Sequence, residues 1–121
     1  MKTTSILQMV IRVLGLIQLI LGIVFWTGNA LFLVICHILL GCILTLALLT
    51  LTYQAFRAGA ATWLVVVATV CELALPIWGL AQRHILPASF LWLAQVLHLL
   101  CGVGIVGVAE LLAVQMHKRI A

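Results

Sequence analysis

His37 and His98 stand in two copies of one short pattern, Cys36-His37-Ile38-Leu39-Leu40-Gly41 and Leu97-His98-Leu99-Leu100-Cys101-Gly102. Each copy places a glycine four residues after a histidine, inside an apolar run. An imidazole among lipid tails has no partner for its ring nitrogens, and leaving such a group unpaired is costly. Two of them in matching positions ask for a common explanation. Imidazoles from two helices can hold a haem iron from its two faces, or serve as two ligands of a zinc or copper ion. Gly41 and Gly102, four residues on, share the face of each histidine. Without a side chain there, a porphyrin edge can lie near the backbone, or a neighbouring helix can pack close.

Other residues bear on the same chemistry. Glu72 lies in an apolar run, where a bare anion is expensive, so it should be protonated, paired or hydrated. It can act as a proton carrier, as the carboxylate of a two-His-one-Glu metal set, or, with Gln18, as the hydrogen-bonding partner that orients a ligating imidazole. A neutral Glu72 bonded to a neighbouring helix is the plainer alternative. Arg83 and His84 sit in a polar connection where haem propionates would need an exit. Arg12 and Glu110 lie toward the other ends of their runs and are expected to pair.

The elements that must position these residues follow from composition. The chain has 121 residues, 67% of them hydrophobic and 7% charged, with a mean hydropathy of +1.41. A water-soluble domain of this size has too little interior to hide that much apolar surface. The expected class is an all-α membrane protein with a single domain of four transmembrane helices, spanning about residues 6–26, 30–53, 60–81 and 88–114. The first run follows Lys2 as a signal peptide would, but it is longer than the usual apolar core of one. Thr27-Gly28-Asn29, 54–59 and 82–87 read as connections. Such short connections imply an up-down-up-down antiparallel bundle.

Lys2, Arg57, Lys118 and Arg119 fall at one end of that bundle, with Arg12 near it and Arg83 opposite. The positive-inside rule then places both termini in the cytoplasm. Trp26, Trp63, Trp78 and Trp92 fall near span ends, as interfacial anchors do. Pro76 should kink or loosen the third helix. The four cysteines form no CxxC pair and read as small buried hydrophobes. No P-loop, dinucleotide fingerprint or HExxH is present, and no basic stripe with interleaved aromatics suggests nucleic acid.

Counting residues at a rise of 1.5 Å puts His37, His98, Gln18 and Glu72 roughly 10–15 Å below one end of their spans, in a common layer. The second and fourth spans should face each other across a diagonal of roughly 11–14 Å, given neighbouring axes roughly 8–10 Å apart. That gap suits a flat macrocycle with one imidazole on each face.

The pairs His37 with Gly41 and His98 with Gly102 resemble the haem-binding helices of membrane b-type cytochromes. The resemblance covers two of four helices. The second histidine that di-haem members carry along each ligand helix is missing, so it implies at most one haem b. Phe25 to Gly28, His37 to Gly41, Val96 to Leu100 and Ala109-Glu110 together resemble segments of small uncharacterised bacterial four-helix inner-membrane proteins, which brings no activity with it. The combined expectation is a protein of the bacterial inner membrane holding one haem between His37 and His98 for electron transfer or redox sensing. It would not be an enzyme by itself, and a quinone would be one candidate partner. The alternatives are an accessory subunit of a larger membrane complex without a cofactor, a two-His-one-Glu metal site, and a proton or small-molecule carrier.

Overall fold

The computed structural model describes residues 2–120, with side chains described for 3–118. It is an all-α bundle of four helices: α1 (Lys2–Trp26), α2 (Val34–Arg57), α3 (Thr62–Ile85) and α4 (Leu91–Ile120). Single turns of 3-10 helix at Leu31–Leu33 and Ala88–Phe90 lead into α2 and α4. Each of the four is long and apolar enough to cross a membrane. Twenty-four residues of α-helix rise about 36 Å, against a hydrocarbon core of about 30 Å. The side chains of Lys2 and Arg119, two of the basic residues used to orient the chain, lie outside the described residues.

Turn chemistry sets the helix ends. After α1, Gly28 takes φ +78°, its N–H donates to Phe25 O and the N–H of Asn29 donates to Val24 O. After α2, Gly59 takes φ +79° and the N–H groups of Gly59 and Ala60 donate to Phe56 O and Ala55 O. Both are left-handed glycine caps that satisfy the last carbonyls of a helix. Pro76 sits inside α3, and the helix runs on past it to Ile85.

The helices alternate in direction around a ring. The connections 27–33 and 86–90 share one end, called distal here; the termini and residues 58–61 share the other, the terminal end. Neighbours pack in sequence, α1 closes on α4, and α2 also meets α4 across the diagonal. This last contact corrects the expected open gap between the second and fourth helices. In the terminal half, small residues let the backbones approach, as lipid-embedded helices require. Ala47, Ala55, Ala60, Ala68, Ala109 and Ala113 are all buried there, interleaved with Leu48, Leu51, Leu64, Leu112 and Ile11. Gly22, Gly41, Gly79 and Gly102 line the inside of the distal half, and there the bundle stays open. Large apolar side chains cover the outside, including Phe32, Ile35, Trp63 and Ile77. All four cysteines are free and exposed on the bundle, Cys42 beside the inner cavity, which corrects the buried reading.

Candidate functional site

Where the helices separate, from the distal end down to the level of Arg12, they leave a cavity of about 600 Å³, lined by all four helices. This lies within the range of about 300–1,000 Å³ usual for small-molecule sites. His37, His98, Gly41, Gly102, Gln18, Glu72 and Arg83 all line it. Seven residues picked from four spans and one connection thus line one cavity.

His37 is in the first turn of α2, and Phe25 of α1 meets its ring edge-on, with centroids 5.4 Å apart at 78°. His98 of α4 lies against Gly79 of α3 so closely that a Cβ at Gly79 would stand 2.7 Å from His98 Cε1 and 3.4 Å from each ring nitrogen. Gly22 faces Leu99, which sets His98 level with the distal third of α1, near the height at which Phe25 sets His37. In both rings Nδ1 is sealed and has no hydrogen-bond partner, so Nε2 is the nitrogen left to meet a ligand.

Neither ring receives the orienting partner expected for it. Gln18 donates from Nε2 to the backbone carbonyl of His37, at 2.7 Å, and its amide lies over Gly41, where a Cβ would be 3.0 Å from that nitrogen. Gln18 Oε1 is sealed without a partner. Glu72, 2% exposed, accepts a 2.6 Å hydrogen bond from the Thr52 hydroxyl at Oε1, while Oε2 has no partner. The bonds expected from Gln18 and Glu72 to the imidazoles are therefore replaced by ties between helices. Gly102 meets Leu75 Cδ2, with 3.8 Å from a Cβ built there.

The single polar layer is also corrected. Glu72 is seven residues before Gly79 on α3, two turns or about 10 Å from the level of His98 toward the terminal end. Helix α3 extends to Ile85, four residues beyond the predicted span, and counting from the shorter end placed Glu72 about 6 Å too near the histidines. Among the described residues, no three of His, Cys, Asp and Glu come together as a group able to hold a metal ion. The two-His-one-Glu set is not assembled.

At the distal mouth Arg83 and His84 are exposed, and Gln82 donates to Gly79 O while its Oε1 is sealed without a partner. At the terminal end Arg12 and Glu110 form the expected pair, with Arg12 Nε and Nη2 each 2.7 Å from a carboxylate oxygen and Gln8 donating to the same carboxylate at 3.1 Å.

Sequence reading missed Gly79, Gln82, Thr52 and Phe25. Helical spacing carried a signal for the first: Gly79 follows Glu72 by seven residues and so shares its face. Thr52 gave less, because its partner comes from another helix. No protein-family model, curated protein or solved structure matches the chain.

Proposed function

We propose that this bundle holds a hydrophobic redox cofactor within the membrane, and that the cofactor is one haem b with His37 and His98 as axial ligands. The role would be electron transfer or redox sensing. The observation that carries this reading is the placement of two imidazoles, from α2 and α4, at similar height on one cavity, each with its Nδ1 turned into the protein. Gly79 seats the His98 ring, Phe25 braces the His37 ring, and Arg83 at the mouth offers a cation to propionates. Leu19, Leu75, Leu99 and Val106 give the low-dielectric walls that tune such a cofactor. A bound haem supplies one-electron chemistry; the chain supplies ligands, orientation and exclusion of water.

The positive-inside rule supports an orientation with both termini in the cytoplasm of a bacterial inner membrane, since Arg57 and Lys118 lie at the terminal end and Arg83 at the distal end. The cavity then opens toward the outer face, where a quinone or a carrier outside the membrane would exchange electrons with it.

A second reading rests on the cavity's shape. On α1 its lining runs from Trp26 to Arg12, about 20 Å of helix. A volume of about 600 Å³ over that length gives a mean cross-section of about 30 Å². A flat head with a hydrocarbon tail, such as an isoprenoid quinone, suits this narrow form, with its head among His37, His98 and Gln18.

The test is an absorption spectrum of the purified protein before and after dithionite, beside solvent extraction of bound lipids. Sharp reduced α and Soret bands that vanish in His37→Ala and His98→Ala support haem. A colourless protein that yields stoichiometric quinone supports the second reading and overturns the first.

A further inference from the structure

The cavity holds a buried acid that neither reading uses. Glu72 is almost wholly enclosed, with 2% of its surface exposed, on the stretch of α3 between Leu64 and Gly79. Its Oε1 is fixed by the Thr52 hydroxyl, and its Oε2 is sealed with nothing to bond to. Pro76, four residues later, has no N–H to give the backbone carbonyl of Glu72, so its acceptors are poorly satisfied twice over. Glu72 also lines the cavity.

Among the described residues, no cation is paired with it. The other titratable groups on the same cavity are Arg12 of α1, His37 and Cys42 of α2, Arg83 and His84 of α3, and His98 of α4. Arg12 is committed to Glu110 by two short bonds. His98 stands two turns away, level with Gly79, and Arg83 and His84 are farther still along α3. From α2, the group facing Glu72 is the neutral hydroxyl of Thr52. A carboxylate held in such surroundings would carry the full cost of an unpaired buried charge. A carboxylic acid carries far less of it: the carbonyl oxygen accepts from Thr52, and the O–H has a hydrogen to give to whatever oxygen or nitrogen enters beside it.

We propose that Glu72 is an intramembrane proton-binding site, an un-ionised carboxylic acid that donates to the occupant of the cavity, so that filling the cavity and exchanging this proton are linked. The ligand class this favours has an acceptor oxygen set between apolar surfaces, as a carbonyl does. The assignment rests on the carboxyl's own surroundings, so a colourless protein would sink the haem reading and leave this one standing.

The experiment uses the full chain in detergent or liposomes with dicyclohexylcarbodiimide, an apolar reagent that adds to a carboxyl only while it carries its proton. Intact-mass and peptide mass spectrometry should find one adduct, at Glu72, persisting at about pH 8, where a carboxyl with the ordinary value of about 4.3 is ionised. Glu110, an anion paired with Arg12, should stay unlabelled, and E72Q should remove the adduct. Infrared difference spectra of the wild type against E72Q should show the carbonyl stretch of an un-ionised acid, independently of reagent access. Adding a cavity ligand, with decylubiquinone as the probe, should slow labelling at least several-fold. The proposal is overturned if the infrared difference shows only a carboxylate, if Glu72 and Glu110 label alike, or if the probe binds without changing the labelling rate.

Discussion

Gly79→Ala is the sharpest perturbation available at the site. A methyl there would stand 2.7 Å from His98 Cε1, whereas carbon atoms in contact rest about 3.5–4.0 Å apart. The imidazole must therefore retreat by about 1 Å, or α3 and α4 must part by that much. Forcing an extra carbon into a packed place costs about 1–3 kcal/mol. If the strain falls on the ligand-bound state, affinity for the cofactor weakens about 5- to 150-fold, at 1.4 kcal/mol for each factor of ten. Gly104→Ala is the control, since a Cβ built at Gly104 meets nothing within 4 Å. Two assays apply: titration of haem into apoprotein in detergent, and the thermal midpoint of the apoprotein. Gly79→Ala should bind more weakly and melt lower, while Gly104→Ala should match the wild type. Equal behaviour of the two variants would refute the seating of His98 on Gly79.

Two further outcomes follow from the same structure. Thr52→Val strips Glu72 of its hydrogen-bond donor and should destabilise the bundle by about 1–3 kcal/mol, the cost of a buried acceptor left unsatisfied. Thr52→Val combined with Glu72→Met should recover most of that loss in denaturant midpoints, and a double variant as unstable as the sum of the singles would argue against the pairing. All four cysteines are exposed on the bundle, Cys42 beside the cavity, so an apolar maleimide should label all of them in folded protein. Protection of any one would mean that its face is covered.

The class of fold was open to reading because it follows from quantities a sequence carries on its face. Four apolar runs of spanning length, separated by glycine- and polar-rich connections, leave little else for the chain to build. The cavity's membership was legible too, since intramembrane polar residues avoid lipid and so collect inside the bundle. The heights and partners were not. An error of one turn at the end of α3 moved Glu72 out of the histidine level, and hydrogen bonds such as Thr52 to Glu72 and Gln18 to the His37 carbonyl depend on rotation about helix axes. Apolar periodicity is a weak guide to rotation when lipid and interior are equally greasy. The cysteines show the same limit: composition gave them no reason to face outward rather than inward. The pattern of alanines against glycines was the overlooked signal, with alanine and leucine closing the terminal half and glycine leaving the distal half hollow.

Haem content per polypeptide, measured on protein expressed in a haem-proficient host and purified in mild detergent, tests the central claim most directly. The account predicts one haem for each wild-type chain and none in a His37→Ala, His98→Ala double variant that retains its helical content. Haem-free wild-type protein, or a double variant carrying as much haem as the wild type, would contradict it.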